Sequence, residues 1–154
     1  MVIAQASRAT GYSAHKRVLI DTNVWLYHLE GHAEFGHAAS QLLRAVERGT
    51  IEGIVSEITL MEIQVRPLRL DLQDIADQYE ILLYHFPNLV LAPVIRAVLT
   101  MAARLRAKYN LKSPDAIVLA TGLHNGATLA VSNDKQWQRV TEITTKPLKG
   151  NRKT

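Results

Sequence analysis

Hydrophobic and polar residues follow two patterns along this chain: short apolar runs, and longer segments in which apolar residues recur at helical spacing. The apolar runs predict buried strands, and they lie at residues 17–20, 51–55, 88–91, 128–131 and 140–143. The helical spacing predicts amphipathic helices, at about residues 35–46, 57–65, 70–86, 93–108 and 113–124. Strands that alternate with helices indicate an α/β fold, with a mostly parallel sheet of four or five strands flanked by helices.

The predicted boundaries rest on residues that favour the ends of helices. Gly49 is expected to end the first helix, and Ser56 is expected to cap the second. Pro67 is interpreted as a break between the second and third helices. Ser113 followed by Pro114 is typical of a helix cap and a first turn. Asp21 to Asn23, which follow the first apolar run, are expected to form a loop.

Four acidic residues stand close to the predicted strand ends. Asp21 and Asp134 follow the first and fourth strands, Glu62 lies within two turns of the second strand, and Asp115 lies in the first turn of the helix before the fourth. Ligands of open parallel sheets bind beyond the carboxyl ends of the strands. We therefore expect these four carboxylates to reach the same end of one sheet.

A group of carboxylates at one place favours a divalent cation. The like charges raise one another's pKa values, and a cation removes the repulsion. Mg²⁺ and Mn²⁺ prefer oxygen ligands, and such an ion lowers the pKa of an attacking water and neutralises charge on a phosphodiester. Taken singly, each acid also has a structural interpretation, as a strand end, a first-turn helix residue, a cap of a short helix before Trp137 or a solvated side chain. Their shared place in the predicted fold favours the metal site.

At these residues the chain resembles the PIN-domain family of ribonucleases. The resemblance rests on four segments in order, residues 18–27 (VLIDTNVWLY), 56–63 (SEITLMEI), 111–120 (LKSPDAIVLA) and 129–135 (LAVSNDK). It spans roughly residues 17–143, and no single motif in it is highly specific. The resemblance implies that the metal and catalytic residues are Asp21, Glu62, Asp115 and Asp134, and that the supporting residues are Thr22, Asn23 and Ser132.

The resemblance also implies an activity and partners. It implies that metal-activated water hydrolyses RNA and leaves a 5′-phosphate and a 3′-hydroxyl, with Mg²⁺ as cofactor and Mn²⁺ as a substitute. Many small members are VapC toxins of type II toxin–antitoxin systems, which form homodimers and are inhibited by an antitoxin protein. Two alternatives stay open: a non-catalytic RNA-binding or scaffold module of the same fold, and a nuclease directed at DNA.

Other residues give weaker signals. Asn23 stands where phosphatases of the haloacid dehalogenase type need a second acid, which argues against that class. His28 and His32 are four apart, but a structural role is favoured over a metal pair. The apolar cluster at residues 25–29, with the helix that carries Phe35, either packs in the core or forms a groove for a partner. Four cations lie near the acids in sequence and are candidate phosphate contacts: Arg66, Arg69, Lys135 and Arg139.

Charge and composition divide the chain into a body and two ends. Seven of the 18 basic residues lie in residues 1–17 and 145–154, which hold no acid, so residues 18–144 keep 11 basic and 14 acidic residues and a net charge of −3. We expect a flexible basic leader at 1–16, one nuclease domain at 17–144 and a basic tail at 145–154. The absence of cysteine fits a reducing compartment, and no apolar run has membrane-spanning length. A cytoplasmic protein is therefore expected.

Overall fold

The structure, a computed structural model, describes Tyr12 and residues 17–151. Its strands are β1 Arg17–Ile20, β2 Glu52–Ser56, β3 Leu89–Ala92, β4 Leu129–Val131 and β5 Thr144–Lys146. Its α-helices are α1 Thr22–Leu29, α2 Gly36–Glu47, α3 Glu57–Arg69, α4 Gln73–His85, α5 Arg96–Tyr109 and α6 Ser113–His124, and a 3₁₀ turn spans Trp137–Arg139. Of the helices in these ranges, none combines the length and apolarity that a membrane span requires.

The five strands form one parallel sheet in the order β3-β2-β1-β4-β5. The chain builds outward from β1 to β3 on one side and then crosses to β4 and β5 on the other. The strand order therefore reverses between β1 and β4, and open parallel sheets bind their ligands at such a point, beyond the carboxyl ends of the strands. The predicted α/β fold with a parallel sheet is confirmed.

Helices cover both faces of this sheet, as a parallel sheet requires. On one face, Leu19 and Ile54 pack with residues of α5 and α6 and with Trp137. On the other face, Val18 and Ile20 pack with residues of α1, α2 and α4. A methyl group at Gly122 of α6 would lie 2.6 Å from Leu19 Cδ2, so glycine permits the close contact between α6 and β1.

Three local predictions are wrong, each for a local reason. The residues after Asp21 form α1 and not a loop, because Thr22 and Trp25, three positions apart, are both buried on one side of the helix with Val24 beside them. Pro67 does not end a helix at that point but lies inside the last turns of α3, where a missing N–H removes only one hydrogen bond. Ser113 is not the cap of α6, because Lys112 occupies that position with extended backbone and no side-chain cap.

The last strand also lies later than predicted. Residues 140–143 were expected to form it, but β5 is Thr144–Lys146, paired with β4. Beyond it, Leu148 is buried and its backbone N–H donates to Asn133 Oδ1 at 2.7 Å. Regular structure therefore continues into the segment 145–154 that charge assigned to a tail. The predicted leader, apart from Tyr12, and residues 152–154 lie outside the described residues.

Candidate active site at the carboxyl edge of the sheet

Asp21 lies at the point where the strand order reverses. It follows β1 directly, its backbone N–H donates to the Val131 carbonyl of β4 at 3.1 Å, and only 6% of it is exposed. Ser132 Oγ, which follows β4, donates to Asp21 Oδ2 at 2.6 Å. The pKa of Asp21 is raised to about 6: burial and the charges of Asp115 and Glu62 raise it, and the hydrogen bonds from Ser132 and the Thr22 backbone lower it. The site therefore resists a full set of negative charges.

Glu62 reaches the same place from α3. It is half-buried, and Thr22 Oγ1 of α1 donates to Glu62 Oε1 at 2.8 Å. Burial raises the pKa of Glu62, the Thr22 hydrogen bond lowers it, and the charge of Asp115 raises it. Because Thr22 is the residue after Asp21, this contact holds the side chain of Glu62 close to the first acid.

Asp115 lies in the first turn of α6 and is also half-buried. Burial raises the pKa of Asp115, and the charge of Asp134 raises it too, whereas the Trp137 indole N–H and the charge of Lys112 lower it. The indole N–H is fully buried and makes no hydrogen bond of acceptable geometry. The indole N–H thus lowers the pKa of Asp115 because it lies nearby, although it does not form a hydrogen bond with the carboxylate.

Asp134 joins the site through a turn that it also caps. Its backbone N–H donates to Ser132 Oγ at 3.0 Å, and its Oδ1 accepts the Gln136 N–H at 2.8 Å before the 3₁₀ turn. Asp134 therefore stabilises the turn before the 3₁₀ segment, in addition to the metal-binding role that the sequence predicts for it. Ser132 connects the two acids, because it accepts from Asp134 and donates to Asp21.

The four carboxylates form an open acidic cluster. Electrostatic coupling runs from Glu62 and Asp21 to Asp115, and from Asp115 to Asp134. Within residues 17–151, no three acidic or histidine side chains converge closely enough to hold a metal ion by themselves. Mg²⁺ in proteins commonly takes one or two carboxylates and completes its octahedron with waters and substrate phosphate. The all-oxygen donor set and the unrelieved repulsion fit such a cation.

The other predicted site residues are the three supporting residues and the four candidate phosphate contacts. Thr22 and Ser132 hydrogen-bond directly to acids of the cluster, whereas Asn23 is exposed on α1. Arg66 forms an ion pair with Glu30 at 3.1 Å, and Arg139 donates to Gln136. The two remaining predicted cations, Arg69 and Lys135, are exposed.

The histidine pair does not form a metal site. His28 Nδ1 lies 2.7 Å from Ser40 Oγ, and His32 Nδ1 accepts the backbone N–H groups of Glu34 and Phe35. Both rings therefore take part in local structure, as the sequence analysis favoured.

Sequence reasoning missed three residues at the site. Thr59 is fully buried, and its Oγ1 lies 2.8 Å from Thr22 Oγ1. Trp137 and Lys112 both act on Asp115. Thr59 stands one helical turn before Glu62, a spacing that places two side chains on one helix face and was a usable signal. Nothing in the sequence indicated that the Trp137 indole N–H would point towards an acid.

The apolar cluster at residues 25–29 with the Phe35 helix, which was predicted to pack in the core or to form a groove, packs on the core, with Leu26, Tyr27, Leu29 and Phe35 partly buried against it. Trp25 is fully buried with its ring edge on Phe86, and Leu42 and Val46 are buried as well. The exposed apolar surface lies instead on α3, α4 and the turn between them. This surface, which we call the α3–α4 face, comprises Met61, Val65, Leu68, Leu70, Leu72, Ile81 and Tyr84.

Comparison with known proteins agrees with the fold. The PIN domain family model matches residues 18–143, which is most of the chain. The chain belongs to the PIN-domain family. Membership places this PIN domain in a family of nucleases, and the matched range includes all four carboxylates. No sequence among the curated proteins matches this PIN domain.

Solved structures share the architecture at low sequence identity. A toxin–antitoxin complex from Klebsiella pneumoniae is 21% identical with a TM-score of 0.63, and the match covers 84% of this chain and 96% of that one. VapBC2 from Rickettsia felis, bound to a DNA fragment from its promoter, is 14% identical with a TM-score of 0.68 and coverages of 86% and 98%. DNA-bound VapBC from Salmonella typhimurium is 15% identical with a TM-score of 0.66 and coverages of 86% and 97%. These similarities establish a shared fold over nearly the whole PIN domain.

Proposed function

We propose that this PIN domain is a Mg²⁺-dependent endoribonuclease, with Mn²⁺ as a substitute, and that it is the toxin of a type II toxin–antitoxin pair. The observation that carries the proposal is the environment of Asp21. A carboxyl that is 6% exposed, with a pKa raised to about 6 by burial and by two neighbouring acids, is costly for the fold. Perturbed acids that converge in a crevice are typical of functional sites.

The side chains of the acidic cluster would divide the work. Asp21, Glu62, Asp115 and Asp134 would hold the cation, which when bound lowers the pKa of an attacking water and neutralises charge on the phosphodiester. Ser132 keeps one Asp21 oxygen in place through the 2.6 Å bond, and Thr22 does the same for Glu62 at 2.8 Å. With a pKa near 6, Asp21 is mostly ionised at pH 7 and available as a ligand.

Exposed cations beside the cluster support binding of a polyanion. Lys112 is close enough to Asp115 to lower its pKa, and Lys135 follows Asp134 directly. Lysine binds phosphate as a point charge. We propose that these two residues contact the backbone of the RNA on either side of the scissile bond, with Arg69 and Arg139 further out.

An antitoxin is the partner that best accounts for the α3–α4 face. Met61 is 58% exposed and Tyr84 is 61% exposed, and with Leu60, Val65 and Leu68 they line a groove of about 460 Å³. Exposed apolar patches of this kind mark interaction sites, and the similar solved structures are toxin–antitoxin complexes. We propose that an apolar segment of the antitoxin lies in this groove, beside Glu62 on the same helix. The homodimer and the cytoplasmic location expected from the sequence stay predictions.

The activity is tested with single-stranded RNA and DNA of the same sequence, incubated with the purified protein and Mg²⁺, Mn²⁺ or a chelator. We expect cleavage of RNA with either cation, none with the chelator, and little cleavage of DNA. Cleavage of DNA in preference to RNA would identify the DNA-directed alternative. RNA binding without cleavage under every condition would support the scaffold alternative.

A further inference from the structure

Behind the acidic cluster, three side chains form a continuous chain of hydrogen bonds between two helices. Thr59 Oγ1 of α3 lies 2.8 Å from Thr22 Oγ1 of α1, and Thr22 Oγ1 donates to Glu62 Oε1 at 2.8 Å. Thr59 is fully buried and Thr22 nearly so. Each threonine hydroxyl has one proton to donate.

Because each hydroxyl has one proton, the donor and the acceptor of each hydrogen bond in this series can be assigned. An ionised carboxylate only accepts hydrogen bonds, so the hydroxyl proton of Thr22 must be donated to Glu62. The contact between the two threonines then requires that Thr59 donates and Thr22 accepts. Removal of the Thr59 hydroxyl would leave Thr22 free to turn, since the rotamer that faces Glu62 would lose the donor that holds it.

We propose that Thr59 is a positioning residue of the acidic cluster, which fixes Thr22 as the donor to Glu62 and so holds Glu62 beside Asp21 for cation binding. This inference rests on the proposed function. The arrangement leaves Glu62 Oε2 outside the chain of hydrogen bonds and available to a cation. It also joins α1 to α3 through buried side chains.

The helix geometry agrees with this role. Thr59 and Glu62 are three residues apart and lie on one face of α3, so both reach towards the N-terminus of α1. Partners that orient a metal ligand through a hydrogen bond commonly change metal affinity 10- to 100-fold when they are removed. Thr59 acts one bond further back, so we expect an effect of about tenfold, at the lower end of that range.

The test is Mn²⁺ affinity of the full chain without RNA, measured by the electron paramagnetic resonance signal of free Mn²⁺. We compare wild type, Thr59→Val, which keeps the shape and removes the hydroxyl, and Thr59→Ser, which restores it. Thr121→Val is the matched control, because Thr121 is also fully buried but its hydroxyl bonds to the Ile117 carbonyl of its own helix and to Ser56, which caps α3, and not to an acid of the cluster. We expect Thr59→Val to weaken Mn²⁺ binding about tenfold, and Thr59→Ser and Thr121→Val to stay within about threefold of wild type.

Several results would overturn the inference. Equal affinity in wild type and Thr59→Val would remove Thr59 from the site while leaving the proposed nuclease intact. Equal weakening by the valine and serine variants would show that the methyl group matters and not the hydroxyl. Equal weakening by Thr121→Val would show a general effect of a lost buried hydroxyl. Absence of saturable Mn²⁺ binding in the wild type would overturn the proposed metal dependence itself, and this inference with it. Should Thr59→Val not fold, Thr59→Ala replaces it in the same comparison.

Discussion

At the scale of single residues, Asp21 is the residue of this PIN domain whose proposed function most opposes stable folding, because its carboxylate is buried beside other acids. It is the most buried acid of the cluster, and two like charges act on it. Without a cation, a carboxyl whose pKa is higher in the folded than in the unfolded chain makes the folded state less stable once it ionises. The unfolded chain loses this proton near pH 4, whereas the folded chain keeps it until about pH 6.

The sign of the pH dependence follows from those two values. Between about pH 4 and pH 6 the folded state binds more protons, so stability falls as the pH rises and levels off above pH 6. A shift of about two units corresponds to about 3 kcal/mol. We expect Asp21→Asn to remove most of this loss in chelator, so that it gains stability relative to wild type between pH 4 and pH 7. Urea unfolding at several pH values measures the difference, and parallel curves for the two proteins would contradict it.

Sequence reasoning found acids at this scale more readily than the residues around them. The four carboxylates stand out because strand ends and helix starts can be located from hydrophobic spacing. Thr59 could have been suspected from its position one helical turn before Glu62, but its contact with Thr22 and the placement of Trp137 beside Asp115 depend on which atoms face each other across two elements. Thr22 and Ser132 were named only through the family resemblance, and their hydrogen bonds to Glu62 and Asp21 give that assignment a physical basis.

At the scale of elements, helices α3 and α4 expose apolar side chains to solvent, whereas most amphipathic helix pairs bury their apolar side chains in the core. The two helices pack on each other and place Ile63 and Leu83 in the core, but they leave the apolar residues of the α3–α4 face in solvent. Hydrophobic periodicity predicted both helices, but it could not show that some of their apolar residues are exposed. The pattern records the type and spacing of residues and does not distinguish apolar side chains that the core covers from those that face solvent. The same limit left the sequence analysis with two alternatives, core packing or a groove, for the apolar cluster at residues 25–29.

The proposed antitoxin groove gives a prediction for this pair of helices. We expect Met61→Glu to weaken the complex with the proposed antitoxin at least tenfold, because it buries an unpaired charge in an apolar contact. The matched control is Leu99→Glu on α5, which places the same charge on an exposed apolar residue elsewhere. Both variants should melt like wild type. Isothermal titration measures the affinities, and a larger loss for Leu99→Glu than for Met61→Glu would move the partner to α5.

The predicted and observed elements differ most where two signals compete. At Pro67 the proline signal for a break competes with burial of the ring, and burial prevails in the last turns of α3. At the end of the chain, Val140 and Ile143 look like a strand but pack in the core around the 3₁₀ turn. The polar strand β5 pairs after them, and its alternating exposure gives little hydrophobic signal.

At the scale of the whole molecule, the topology brings the acidic cluster together. The order β3-β2-β1-β4-β5 places β1 and β4 side by side, so Asp21 and Ser132 meet although 111 positions separate them. The sequence predicted a parallel sheet with the acids at one edge, but not which strands are neighbours. A chain cut at residue 144 would lose most of β5 and the buried Leu148, so the folded unit reaches further than charge indicated.

The most direct test of the account is RNA cleavage by purified wild type, Asp21→Asn and Asp74→Asn in Mg²⁺. Asp74 is an exposed acid in the first turn of α4 and serves as the matched control. Loss of one ligand should cost about 4 kcal/mol of transition-state stabilisation, or about a thousandfold in rate. We predict that Asp21→Asn loses activity on that scale while it stays folded, and that Asp74→Asn cleaves like wild type. A wild-type rate in Asp21→Asn would contradict the account.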